Sequence, residues 1–145
     1  MRPRQTSAWF IVDRPVDAAM LSIVRRLPPA TGVLVMHGAR SGPLVRLARA
    51  RGLRLAEEGR RAARVHDLSE LRRALLRRLP LILLSPVHPT PTHPGWQPIP
   101  RMRAAAYARL ANRRLVALGG MDGARFRRLA PLGFQGWAGI SAFRT

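Results

Sequence analysis

Residues 81–95 read LILLSPVHPTPTHPG, and they limit the possible folds more than any other stretch of the chain. Four consecutive apolar residues are too few for a helix and describe a strand buried on both faces, which is typical of a parallel sheet. Pro86, Pro89, Pro91 and Pro94 then exclude both helix and sheet ladder, because proline lacks an amide proton and fixes φ. A stiff loop therefore leaves the strand at its C-terminal end. In α/β folds that end carries the ligand site, so Thr90, Thr92 and His93 are candidate ligand contacts.

A rhythm of short strand followed by amphipathic helix runs on both sides of this stretch. Residues 8–12 form a first strand, after which Pro15 opens a helix with Val16, Ala19, Met20, Ile23, Val24 and Leu27 on one face. Residues 32–36 form the second strand, followed by a helix capped by Ser41 and closed by Gly52, and residues 53–56 form the third. Further on, Asp67 and Glu70 make a capping-box-like pair at the start of a helix that runs through Arg78. Residues 101–111 form an alanine-rich helix led by Pro100, and residues 115–118 another strand. Asp122 caps a short helix ended by Pro131 and Gly133, and residues 136–143 form the last strand.

One segment breaks the rhythm. If residues 63–66 are a strand, only residues 57–62 join it to the third, whereas a parallel crossover takes about a dozen residues or more. Either the two form a hairpin, or one is not a strand, or the link is a single helical turn. The class is α/β, a single domain over residues 1–145 with a mainly parallel sheet of about seven strands. A full (β/α)₈ barrel takes about 200 residues or more, so the expectation is a shortened, TIM-barrel-like fold or an open sheet. Free sheet edges in such a fold would be covered by a second copy of the chain, making a homo-oligomer.

Composition removes several classes of function. The chain has no cysteine, which excludes disulfides, thiolate metal sites and a cysteine nucleophile. The apolar run at residues 8–12 is shorter than a signal-peptide core of about 7–15 residues or a membrane span of about 20, so a cytoplasmic protein without membrane contact is expected. Lys+Arg number 26 against 7 Asp+Glu, a formal charge of +19, and every basic residue is arginine. Such a balance would suit a polyanion. The doublets at residues 25–26, 77–78 and 113–114 instead end helices, where they complement the helix dipole, and no aromatic and basic run suited to base stacking is present. Nucleic acid is therefore not the expected partner.

The segment VALGGMDG places Gly119 and Gly120 between a buried strand and a helix start, where backbone amides can approach an anion as they do at the phosphate site of many barrels. GWAGIS offers further amides at Ile140 and Ser141. A Gly-Gly pair by itself also serves simply to turn a chain. His88 and His93 have no neighbouring carboxylate or thiolate, so no metal site is expected there. Ser85 lacks a recognisable base and acid partner, and Trp96 and Trp137 read as packing residues.

In this order, SPVHPTPTHPG followed by VALGGMDGARFRRLAPLGFQGWAGISA resembles the second half of the thiamine phosphate synthase and thiazole tautomerase family, and FIVDR resembles its first strand. The resemblance implies a (β/α)₈-type barrel and a small phosphorylated substrate, a thiazole phosphate. Thr90 and Thr92 would hold that ligand, and the amides of Gly119, Gly120, Ile140 and Ser141 its phosphate. It also implies the transferase reaction of thiamine biosynthesis, in which an aminopyrimidine methyl pyrophosphate loses pyrophosphate, usually with Mg2+, and is coupled to the thiazole nitrogen.

The chain departs from that pattern at the pyrophosphate and metal positions. VLVMHGAR leaves His37 and Arg40 where the family has an arginine and lysine motif for pyrophosphate. LRLAEEGRR has no counterpart of the family's Asn-Asp pair or metal-binding Asp, so Mg2+ is implied while its ligands are not evident, and Glu57 and Glu58 read as solvated. His93 stands where a lysine is expected. His66, in RVHDLSEL, resembles the histidine with which tautomerases of the family move a proton on a thiazole carboxylate, a task suited to imidazole. A hydrogen-bonded structural histidine is the alternative. The implied function is a thiamine phosphate synthase-like transferase, with a thiazole tautomerase or a non-catalytic phosphate-binding member as alternatives, and a basic nucleic-acid-associated protein as a third kind.

Overall fold

Each apolar run read as a strand pairs in parallel with its neighbours. The computed structural model describes residues 7–89 and 95–144. Within them β1 (Ala8–Val12), β2 (Thr31–Val35), β3 (Arg54–Glu57), β4 (Ala62–Val65), β5 (Leu81–Leu84), β6 (Leu115–Leu118) and β7 (Gly136–Gly139) form one sheet of order β3-β2-β1-β7-β6-β5-β4. Helices α1 (Ala18–Arg26), α2 (Gly42–Ala50), α3 (Leu68–Leu76), α4 (Arg101–Ala111) and α5 (Gly123–Leu129) pack around its outside. No helix among the described residues is long and apolar enough to cross a membrane.

Side-chain caps fix where the helices start. Asp17, Ser41, Asp67 and Asp122 each accept the N–H three residues on, at 2.8, 3.2, 2.8 and 2.8 Å, and such a cap is typically worth about 1 kcal/mol. Asp17 therefore sets the start of α1 at Ala18, and Pro15, read as its first residue, lies outside the helix. At the other end of the chain the strand expected over residues 136–143 stops at Gly139 and gives way to a 3₁₀ helix over Ser141–Phe143. The turn brings Phe143 back onto the outer core, where it stacks on Trp137 with ring centroids 5.2 Å apart.

The segment between β3 and β4 decides among the three expected alternatives. Both are strands, both run parallel to the rest, and the link is a single tight turn in which the Arg60 and Arg61 N–H groups donate to the Glu57 carbonyl at 3.2 and 3.3 Å, so the helical-turn alternative holds and the hairpin and the missing strand do not. Register explains how so short a link can join parallel strands. Pairing runs from Glu57 to Val35 and Val12, from Phe10 to Gly139, from Ala138 to Leu118, and from Ala117 to Leu84 and Val65. The circuit drops steadily along the strands and closes at the parallel bridge Glu58↔Ala62 after an offset of about eight residues, the shear of a (β/α)₈ barrel. Ala62 thus begins β4 beside the residue that follows β3, and the chain steps across without a crossover helix. The two edges meet each other at this bridge in a nearly closed seven-stranded barrel.

Alternation along the strands sends one set of side chains inward and the other outward. Trp9, Ile11, Leu34, Leu83, Val116 and Ala138 fill the barrel, while the outward set packs under α1 and α2 on one side and α3, α4 and α5 on the other. Leu34→Ala should cost about 2–5 kcal/mol in urea unfolding, because it empties space at the fully buried barrel centre. Leu76→Ala, at a position 82% exposed, should stay within about 0.5 kcal/mol of the parent.

Candidate functional site

The C-terminal ends of the strands surround a cavity of about 660 Å³, within the range that holds small ligands. Its walls include Asp13 after β1, Arg64 and His66 at β4, Ser85 after β5, Gly119 and Gly120 after β6, and Ile140 and Ser141 after β7. Trp96 and Arg125 complete the rim. Two expected backbone turns and His66 are therefore brought to one space. Thr90, Thr92 and His93 lie outside the described residues.

The Gly119–Gly120 turn is shaped by two left-handed residues, φ +108° and +60°, and by close packing on the loop after β5. A Cβ at Gly119 would stand 3.0 Å from Pro86 Cα, and one at Gly120 2.7 Å from the Pro89 carbonyl. Glycine is thus required here for conformation and for space. The loop is tied down further by Val87 N–H to the Leu118 carbonyl, 3.0 Å, and His88 N–H to the Gly119 carbonyl, 3.2 Å. Arg125 donates from Nη1 to the Gly120 carbonyl and lays its guanidinium over the same turn. Across the cavity, Ser141 opens the final 3₁₀ helix, whose first amides have no intrahelical acceptor.

His66 occupies the cavity mouth between two residues that the sequence did not assign to it. Its Nδ1 lies 3.4 Å from Glu70 Oε2, and its ring meets Trp96 edge-on with centroids 5.8 Å apart. A carboxylate only accepts, so in the neutral ring this contact selects the Nδ1–H tautomer, with the lone pair on Nε2. Of the capping box that Asp67 and Glu70 suggest, only half forms. Asp67 accepts from the Glu70 N–H, while the Glu70 side chain turns to His66. Trp96 is a cavity wall and not a packing residue, whereas Trp137 does pack, in the outer core.

Glu57 and Glu58, near the cavity, are committed to partners. Glu58 accepts from Arg64 Nε at 2.6 Å and from the His37 N–H at 3.1 Å. Glu57 faces Arg40 at 3.5 Å and Arg60 at 3.8 Å. With side chains 20% and 16% exposed, Glu57 and Glu58 are paired and half-buried, not solvated. His37 and Arg40 lie apart from the main cavity, in a groove of about 170 Å³ lined by Glu57, Glu58 and Arg60. No three His, Asp or Glu side chains among the described residues come together as a metal set. The two carboxylates on the main cavity wall, Asp13 and Asp122, stand at the ends of β1 and β6 with β7 between them, and Asp122 already caps α5. A resident Mg2+ does not fit this donor set.

His88 sits behind the glycine turn. Its Nε2 is buried with no partner among the described residues. Burial holds its pKa below the ordinary 6.5, and the charge on Arg125 pushes the same way while Asp122 opposes it.

A family model described as thiamine monophosphate synthase matches residues 52–143 of the chain. Among solved structures, a thiamine phosphate pyrophosphorylase from Pyrococcus furiosus superposes with a TM-score of 0.72 at 15% identity, over 94% of this chain and 86% of that one. That likeness carries the fold. No curated protein sequence matches the chain significantly.

Two outcomes test the turn. Gly120→Ala should destabilise by about 1–3 kcal/mol more than Gly38→Ala, since both positions have positive φ but only Gly120 has neighbours in the way of a Cβ. Equal losses in denaturant titration would contradict the packing described. The unfolded chain takes up a proton at His88 near pH 6.5, whereas the folded chain resists it, so His88 favours folding fully above that pH and progressively less as pH falls below it. Between about pH 7 and about pH 5 the parent should lose melting temperature more steeply than His88→Gln, and parallel slopes would count against this.

Proposed function

Since this chain belongs to the thiamine monophosphate synthase family, and so to thiamine biosynthesis, we propose that its cavity binds a thiazole phosphate and that His66 moves a proton on it. The phosphate would rest on the amides at Gly119, Gly120, Ile140 and Ser141, with Arg125 beside them. Thr90, Thr92 and His93 would contact the ligand from the loop after β5. The observation that carries this reading is that His66, with Nδ1 turned to Glu70, lines the same cavity as both turns. Nε2 then carries the lone pair that accepts a proton, and Glu70 stabilises the imidazolium that forms. The histidine takes a proton from one position of the thiazole carboxylate and returns it at another, so the step needs no co-reactant. Trp96 shields the imidazole on one side, which limits loss of the proton to water.

A second reading, transfer of an aminopyrimidine methyl group to the thiazole nitrogen, is supported by the size of the cavity and by Arg64 and Arg125 in its wall. A departing pyrophosphate would be neutralised by guanidinium groups. The family's Mg2+ has no matching donor set among the described residues, so no step is assigned to it.

The test is proton exchange on a thiazole carboxylate phosphate, followed by NMR in deuterated water. His66→Gln should slow it about 10²–10⁴-fold while substrate affinity changes little, and Glu70→Gln should slow it less and displace the pH profile. Full exchange activity in His66→Gln would defeat the proton-transfer reading. Formation of thiamine phosphate from the pyrimidine pyrophosphate by the same protein would establish the transferase instead.

A further inference from the structure

Arg64 brings a positive charge to the cavity that neither glycine turn requires. Alternation along β4 turns Ala62 and Arg64 inward and Val65 outward, so the guanidinium joins the cavity wall instead of the outer surface. Its Nε donates to Glu58 Oε2, and Glu58 Oε1 is held in turn by the His37 N–H. Glu58 therefore cannot swing away without losing a second bond. One edge of the planar guanidinium is fixed in this way, and its Nη1 and Nη2 make no hydrogen bond to any described residue. A guanidinium oriented along one edge and open along the other suits two-pronged binding of an oxyanion.

Resting on the reading of this cavity as a phosphate-ligand site, we infer that Arg64 binds a second oxyanion of the bound ligands, and does so without a divalent metal. Arg64 rises from β4, two strands and roughly 10 Å of backbone around the wall from β6 at the usual strand spacing, so it is anchored at a different part of the wall from the Gly119–Gly120 turn. Asp13 apart, the carboxylates around the cavity are turned to other uses. Glu58 fixes Arg64, Glu70 faces His66, and Asp67 and Asp122 cap helices. The guanidinium supplies the positive charge directly, with Glu58 as its positioning residue. His37 and Arg40 do not take this part, because Arg40 faces Glu57 in the neighbouring groove. The oxyanion can come from a pyrophosphate group or from a carboxylate on the thiazole ring.

Calorimetric titration of the full chain distinguishes these sources. Inorganic pyrophosphate and a thiazole carboxylate are each titrated in EDTA and in Mg2+, with inorganic phosphate as the probe of the glycine turn. At least one of the first two should bind in EDTA within about twofold of its affinity in Mg2+. Arg64→Gln should weaken that ligand by about tenfold or more and Arg64→Lys by less, and the ligand so affected identifies the source. Both variants should still bind phosphate at the glycine turn, which also shows that they fold. A requirement for Mg2+, or an unchanged affinity in Arg64→Gln while phosphate still binds, overturns the inference about Arg64 alone. Failure of the parent to bind phosphate overturns the underlying reading of the cavity.

Discussion

The bridge between Glu58 and Ala62 decides what this barrel can present to a ligand. It closes seven strands with the offset of an eight-stranded barrel, and in doing so it sets which face of β4 looks inward. A slip of one residue at this seam would exchange Arg64 for Val65 and put an aliphatic side chain in the cavity wall. The same closure sets Glu58 beside Arg64, so one short turn both completes the wall and orients a charge within it. Loss of a crossover helix has therefore not opened the ligand end of the barrel.

Charge is arranged along the barrel axis and not at random. All seven acidic residues, Asp13, Asp17, Glu57, Glu58, Asp67, Glu70 and Asp122, sit at the C-terminal ends of strands or in the first turns of helices. Arginines crowd the opposite ends, where they meet helix C-termini; Arg51, for example, donates to the carbonyls of Val24 and Leu27 at 2.8 and 2.9 Å. The ligand face is thus the less positive one despite a net charge of +19. Affinity for an anion there must come from local groups, which are the backbone turns, Arg125 and Arg64.

Much of this was legible in the sequence, because local signals decided it. β1 and α4 fall at the residues read for them, and Ser41, Asp67 and Asp122 cap the helices as read. The two backbone turns and His66 do face one cavity. What the sequence did not yield depends on register and tertiary contact. The link between β3 and β4 contradicts the usual crossover length, and only a circuit of the whole sheet explains it. Glu70 satisfied a local capping pattern that concealed its contact with His66. Arg64 carries no local signal, because inward placement follows from strand parity and a four-residue strand gives little parity to read. The resemblance sets His37 and Arg40 at the pyrophosphate, whereas Glu57 draws Arg40 into the neighbouring groove.

The central claim is that two backbone turns from separate strands converge on one anion. Amide chemical shifts measured by ¹⁵N NMR during titration with a thiazole phosphate test it most directly. The account predicts that the amides of Gly119, Gly120, Ile140 and Ser141 shift together along a single saturation curve. Shifts confined to one turn, or centred on the arginine-rich opposite end of the barrel, would contradict it.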